Sequence, residues 1–100
     1  MIINYTINES KQIYILEGKL DQSSYSEFER FINENYDKGL DVSLNLEGLD
    51  YISSVGLRTF IILARKVAQN KCSISAKVKP GSMPENILKL SGFTKLIAFE

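Results

Sequence analysis

Two adjacent serines, Ser53 and Ser54, form the pattern in this chain that could do chemistry. They open the segment S-S-V-G-L, and the apolar spacing that follows predicts a helix over Ser54 to Asn70. A hydroxyl at a helix start lies beside unpaired backbone N–H groups and the positive end of the helix dipole, which favour a phosphate, whether bound or covalently attached. The same position suits an N-cap, in which either serine accepts a hydrogen bond from one of those N–H groups. The pattern alone leaves both interpretations open.

The composition disfavours a catalytic serine. The 100-residue chain contains no His, so the commonest general base and the middle member of a Ser-His arrangement are missing. Its single Cys, Cys72, cannot form an internal disulfide, and without His the usual Cys/His zinc sites are absent. We therefore expect a protein that is not an enzyme, with no catalytic residues, no metal and no cofactor.

Charge and hydropathy disfavour nucleic acids and membranes as partners. The 12 Lys and Arg residues balance the 12 Asp and Glu residues, so the chain lacks a basic field to hold a nucleic acid or an anionic membrane surface. No apolar run approaches the roughly 20 residues that span a bilayer. The first residues, M-I-I-N-Y, lack the charged start and apolar stretch of a signal peptide. We expect a cytoplasmic protein without membrane insertion.

The hydrophobic periodicity predicts one α/β domain over residues 1–100. Alternating apolar residues predict strands over Ile3–Ile7 and Ile13–Leu16, which pair as a hairpin, then over Val42–Leu46 with an end at Gly48, over Cys72–Val78 and over Leu96–Phe99. Helical spacing predicts helices over Gln22–Tyr36, Ser54–Asn70 and Pro84–Leu90. Because the third and fourth strands alternate cleanly, only one face of the sheet is covered. The expected fold has two layers: a mixed sheet of four or five strands, parallel in its later part with right-handed crossovers, and helices mainly on one face.

The predicted long helix has a polar face beside Ser54. At about 100° per residue, the polar residues fall within an arc of about 140°; they are Arg58, Thr59, Arg65, Lys66, Gln69 and Asn70. Ile62 lies inside that arc. The face is either solvated surface with one stray apolar residue, or a contact surface with Ile62 as its anchor and Arg58 and Arg65 as polar neighbours. The expected core residues of this helix are Val55, Phe60, Ile61, Leu63, Ala64, Val67 and Ala68.

Two further residues bear on the Ser54 region. Gly56 lies in the first turn of the helix, where glycine costs up to about 1 kcal/mol relative to Ala. Its presence indicates that a neighbouring loop or a partner approaches the backbone closely. Asp21 follows Gly18-Lys19-Leu20 just before the first helix, where it either caps that helix or projects toward Ser54.

Three segments in matching order resemble the STAS domain of bacterial anti-sigma factor antagonists. They are G-K-L-D at 18–21, L-N-L-E-G-L-D-Y-I-S-S-V-G-L-R at 44–58 and L-S-G-F-T-K-L-I-A-F at 90–99. The resemblance covers nearly the whole chain and implies the STAS fold. It also implies that Ser54 is the phosphoacceptor of the family's D-S-x-G-L motif, that Gly56 and Leu57 match its G-L, and that Asp21 lies near the site.

The function that this resemblance implies is partner switching. The unphosphorylated protein would bind an anti-sigma factor with serine kinase activity and release the sigma factor, and phosphorylation of Ser54 would switch it off. A serine phosphatase is allowed as a second partner. The residues expected to contact the anti-sigma factor are Asp21, Ser53, Ser54, Val55, Gly56, Arg58, Ile62 and Arg65.

The chain departs from the family pattern on both sides of Ser54. Ser53 stands where the family has Asp, and Val55 replaces a residue that is often small or hydroxyl-bearing. The first change removes a negative charge beside the acceptor. One alternative is therefore a STAS scaffold subunit of a signalling or lipid-transport complex that never takes phosphate. Another is a small-molecule or nucleotide-binding module, although the chain has no Gly-rich phosphate loop.

Overall fold

Five strands and three α-helices follow one another in residues 1–100, all of which a computed structural model describes except for the side chain of Thr94. The strands are β1 (Ile2–Ile7), β2 (Lys11–Leu20), β3 (Asp41–Ile52), β4 (Ile74–Lys77) and β5 (Ala98–Phe99). The helices are α1 (Tyr25–Asn35), α2 (Ser54–Gln69) and α3 (Met83–Leu90), and a short 3₁₀ helix covers Phe93–Lys95.

The strands lie in the sheet in the order β1-β2-β3-β4-β5. β1 and β2 form the predicted antiparallel hairpin, and every later neighbour pair is parallel. This confirms the predicted mixed α/β sheet. The pairing of Leu20 with Ile52 brings the carboxyl ends of β2 and β3 side by side.

The core lies between one face of the sheet and the three helices. Tyr14 and Leu44 on neighbouring strands are fully buried on this face. The helices contribute an aromatic row. The ring centroids of Phe28 and Phe60 are 5.6 Å apart and those of Phe60 and Phe93 are 6.3 Å apart, and in each pair the two ring planes are nearly perpendicular. Edge-to-face pairs of this kind add stability beyond their buried area. The row joins α1, α2 and the segment after α3 into one layer.

The third strand is longer than predicted. β3 continues through Gly48 to Ile52, because an irregularity shifts the register from Ile15 opposite Asn45 to Glu17 opposite Gly48. A β-bulge of this kind accommodates an extra residue and lets pairing resume. Gly48 serves packing rather than termination, since a Cβ there would lie 2.8 Å from Cγ of Glu17.

Other element boundaries also differ from the prediction. α1 begins at Tyr25 rather than Gln22, because residues 21–24 form a turn with Ser24 as the N-cap. The predicted fourth strand shortens to Ile74–Lys77. The last strand shortens to Ala98–Phe99, because the Leu96 N–H is bonded to the carbonyl of Phe93 in the 3₁₀ turn.

Candidate functional site

Three of the predicted site residues, Asp21, Ser53 and Ser54, lie where β2 and β3 end. The Ser53 N–H donates a hydrogen bond of 2.9 Å to the carbonyl oxygen of Leu20, the last residue of β2. Asp21 follows Leu20 directly, and Ser54 follows Ser53. The parallel pairing of β2 with β3 therefore brings Asp21 beside the start of α2.

Ser53 is the N-cap of α2. Its backbone is extended, with φ −84° and ψ 170°, and its Oγ accepts a hydrogen bond of 3.2 Å from the Gly56 N–H. Its carbonyl oxygen accepts a second bond, of 2.9 Å, from the Leu57 N–H. Of the two serines that could cap this helix, Ser53 does so, and its hydroxyl is engaged.

Ser54 is the first residue of α2 and is exposed. Among the described residues, its hydroxyl has no hydrogen-bond partner, and the backbone N–H groups of Ser54 and Val55 have no acceptor. The Ser54 Oγ is accessible from solvent and lies beside donors that suit an anion.

Gly56 is buried against the end of β2. A Cβ at this position would lie 2.7 Å from Cγ of Leu20 and 2.7 Å from its carbonyl oxygen. The close approach predicted from the sequence is therefore made by the protein's own strand. Gly56 holds the β3–α2 junction against β2 and so fixes the position of Ser54.

Asp21 organises the turn before α1. Its Oδ1 accepts hydrogen bonds from the Ser23 hydroxyl at 2.7 Å and from the Ser23 N–H at 3.0 Å. These bonds, that from the Ser23 hydroxyl above all, hold the pKa of Asp21 below its usual 3.8. Asp21 is not the N-cap of α1, since Ser24 occupies that position. Its carboxylate instead bonds within that turn, which follows the end of β2.

An exposed row of four residues runs down α2 from Ser54. We call Ser54, Arg58, Ile62 and Arg65 the α2 stripe; their helical spacing places them within an arc of about 80°. All four are exposed, and the Ile62 side chain is 49% accessible although it is apolar. The stripe therefore offers one hydroxyl, two cations and one apolar anchor to anything that docks on this side.

A groove of about 390 Å³ separates the α2 stripe from α1. This α1–α2 groove is lined by Tyr25, Glu29, Val55, Arg58, Thr59 and Ile62. Tyr25 and Glu29 are not among the site residues predicted from the sequence. They are four residues apart on α1, a spacing that could have indicated a shared face. Tyr25 is half-buried, and it lines the groove from the α1 side.

The faces of α2 differ in part from the prediction. Thr59 is buried rather than solvated, and its Oγ1 donates a bond of 3.3 Å to the carbonyl of Val55. Lys66 is half-buried, and its ammonium nitrogen lies 5.5 Å from the centroid of the Tyr36 ring. Ala68, expected in the core, is exposed. Packing of α1 along α2 explains the first two changes, because α1 covers polar positions that a lone helix would leave to solvent.

The predicted site is a surface rather than an enclosed cavity. A larger concavity, an open hollow of about 690 Å³ bordered by Tyr5, Tyr36 and Lys66, lies at the other end of α2. Among the described residues, no cluster of His, Cys, Asp and Glu side chains could hold a metal ion. Within the same part of the chain, no helix has the length and apolar character needed to cross a bilayer.

Comparison with known proteins assigns the family. The family model described as "STAS domain" matches residues 3–100. No curated protein sequence matches the chain.

Solved structures agree with this fold. An anti-sigma factor antagonist from Mycobacterium paratuberculosis is 14% identical and gives a TM-score of 0.85, with 98% of this chain and 83% of that chain covered. The unphosphorylated form of the anti-sigma factor antagonist SpoIIAA is 13% identical over 99% of this chain and 88% of its own, with a TM-score of 0.80. The phosphorylated form of SpoIIAA from Bacillus is 14% identical over 99% and 91%, with a TM-score of 0.75. At these identities the likeness establishes the fold, and together with the family match it shows that the chain belongs to the STAS domain family.

Proposed function

We propose that this STAS domain is an anti-sigma factor antagonist that phosphorylation of Ser54 switches off. The observation that carries the proposal is the division of roles between the two serines. Ser53 uses its hydroxyl to cap α2 through the Gly56 N–H, while Ser54 keeps an exposed hydroxyl one residue later. Ser53 thus does the capping work that an Asp can do at this position, and Ser54 remains available to a kinase.

The unphosphorylated protein uses the α2 stripe and the α1–α2 groove to bind the anti-sigma factor. The neutral Ser54 hydroxyl allows close approach, and half-exposed Ile62 supplies an apolar contact at the middle of the stripe. When the anti-sigma factor binds this surface, it releases the sigma factor. In this proposal the chain is the substrate of a serine kinase and has no catalytic role of its own, and it acts in the cytoplasm.

Phosphorylation places a dianion within the contact, at the end of the α2 stripe where the helix begins. It adds about −1.5 to −2 charges at pH 7. Desolvating these charges against the partner is unfavourable, so the complex dissociates. The free protein tolerates the phosphate because a helix N-terminus favours anions. The likeness of the chain to both the unphosphorylated and the phosphorylated SpoIIAA supports a switch without refolding.

Intact-mass analysis tests the proposal directly. The protein is incubated with ATP and with each serine-kinase anti-sigma factor of its own organism. The wild type and Ser53→Ala are expected to gain one phosphate, and Ser54→Ala none. If no candidate kinase modifies the wild type while it modifies a known substrate, the chain is instead an unphosphorylated scaffold subunit.

A further inference from the structure

We infer that Arg58 is held by two anions in turn: a carboxylate of the anti-sigma factor in the complex, and the phosphate on Ser54 after phosphorylation. The inference rests on the proposed role of Ser54 as phosphoacceptor. It adds a second element to the switch, because phosphorylation then removes a cation from the docking surface as well as adding a dianion to it.

The Arg58 guanidinium is available to pair with an anion. It is exposed, and no carboxylate in the described part of the chain lies within ion-pair distance of it; the ion pairs found there are Lys77 with Glu47 and Lys89 with Glu85. Glu29 lines the same groove from α1 without pairing with Arg58. The Asp21 carboxylate is engaged by the Ser23 N–H and hydroxyl.

The spacing of Ser54 and Arg58 favours their pairing once a phosphate is present. Residues four apart on a helix are neighbours on its surface, and an acidic group that precedes a cation by four residues is the better order. The guanidinium is a planar fork that matches two phosphate oxygens. Ser54 begins α2 and Arg58 lies within its second turn, so the pair can form while the helix keeps its backbone conformation.

The rest of the α2 stripe indicates what the partner presents. Arg58 and Arg65 flank Ile62, and Glu29 is the one acidic side chain among the residues that line the α1–α2 groove. Charge complementarity therefore fits a partner segment with an apolar side chain over Ile62 and a carboxylate facing Arg58. When the phosphate takes Arg58, that carboxylate loses its cation and faces the dianion.

The first test needs neither a kinase nor a partner. Phosphoserine is incorporated at position 54 during translation, and the second pKa of the phosphate is measured by ³¹P NMR in three backgrounds: otherwise wild type, Arg58→Gln and Arg65→Gln. Loss of the Arg58 ion pair is expected to raise this pKa by about 0.3. The Arg65→Gln control keeps the wild-type value, because Arg65 lies three helical turns from Ser54. Equal values in all three proteins would overturn the pairing.

The second test uses the anti-sigma factor. Without phosphate, Arg58→Gln is expected to weaken binding roughly tenfold, as expected for loss of an interfacial charge pair. Phosphoserine at position 54 should then lower the affinity in every background. The drop that it causes should be several-fold smaller in Arg58→Gln than in the wild type, and in Arg65→Gln it should equal the wild-type drop. If phosphoserine lowers the affinity by the same factor in the wild type, Arg58→Gln and Arg65→Gln, the shared use of Arg58 is overturned, while the Ser54 switch is retained. No loss in any of them overturns the proposed function, whatever the NMR result.

Discussion

Leu20 lies so close to Gly56 that a Cβ at position 56 would be 2.7 Å from the Leu20 carbonyl oxygen. This contact locks the first turn of α2 to the end of β2. In Gly56→Ala the gain in helix propensity, up to about 1 kcal/mol, is opposed by a clash with backbone that cannot move freely. We expect a net loss of about 1 to 3 kcal/mol in the free energy of unfolding, measured by urea denaturation.

Gly39→Ala is the matched control for this prediction. A Cβ at Gly39 would meet only the Asp37 Oδ1, at 3.3 Å, and this exposed side chain needs to shift only slightly to accept it. We expect a change within about 0.5 kcal/mol. Equal stabilities of Gly56→Ala and the wild type would show that the junction is looser than the structure indicates.

The two serines should differ in their effect on stability. Ser53→Ala removes the hydrogen bond to the Gly56 N–H and should cost about 1 kcal/mol. For a domain of this size that lowers the thermal midpoint by about 4 to 8 °C. Ser54→Ala removes an exposed hydroxyl and should leave the midpoint nearly unchanged. If Ser54→Ala were the more destabilising variant, the assignment of the cap to Ser53 would be wrong.

Asp21 should make stability depend on pH in a defined direction. Hydrogen bonds from Ser23 hold the pKa of Asp21 below its usual 3.8 in the folded state. The resulting stabilisation is fully present above pH 3.8 and is lost as the pH falls through the folded-state pKa. Asp21→Asn should therefore be less stable than wild type at pH 7, and the difference should shrink below pH 3.8.

Urea denaturation at several pH values measures this effect. Asp50→Asn is a suitable comparison, because Asp50 is exposed and no hydrogen bond to its side chain is found among the described residues. A difference between Asp21→Asn and wild type that stays constant from pH 7 to pH 3 would exclude a role for the ionised carboxylate.

Gln12 carries a structural role that the sequence pattern did not reveal. It is fully buried, and its amide nitrogen donates to the Asp37 carbonyl at 2.6 Å, while its Oε1 accepts from the Asp37 N–H at 3.0 Å and from the Tyr14 hydroxyl at 2.7 Å. Gln12→Leu would remove this partner from the buried Tyr14 hydroxyl and from the part-buried backbone groups of Asp37, and should cost about 1 to 3 kcal/mol. Hydrogen exchange at the Asp37 amide would speed up in the variant; an unchanged rate would contradict the role assigned to Gln12.

The order and type of the helices and strands could be predicted because the regularly spaced apolar residues are the ones that the fold buries. Alternation in β3 marks Val42, Leu44 and Leu46, and all three are buried. The extension of β3 could not be predicted in this way. It depends on a register shift against β2 and on the packing of Glu17 over Gly48, which are contacts between residues distant in the sequence.

The candidate site was predictable in its location but not in its details. The S-S-V-G-L motif and its helix identified Ser54, yet either serine has the chemistry of a cap. Only the extended backbone of Ser53 decides between them. The burial of Thr59 likewise depends on α1, whose packing against α2 leaves no mark in the periodicity of α2 itself.

Ile62 should contribute to binding without contributing to stability. Its side chain is 49% exposed and lies between Arg58 and Arg65 on the α2 stripe. Ile62→Ser should change the free energy of unfolding by no more than about 0.5 kcal/mol. If the stripe is the docking surface, the same variant should weaken binding of the anti-sigma factor by about 1 to 2 kcal/mol, because an apolar anchor at the centre of an interface is lost.

Leu90 offers a matched comparison for Ile62. Its side chain is 85% exposed and it ends α3, outside the residues that line the α1–α2 groove. Leu90→Ser removes a similar apolar side chain and should leave the affinity for the anti-sigma factor unchanged in calorimetric titration. Equal affinities of the Ile62→Ser and Leu90→Ser variants would place the docking surface elsewhere. A selective loss in Ile62→Ser would tie partner binding to the helix face that begins at Ser54, where the added phosphate acts on it directly.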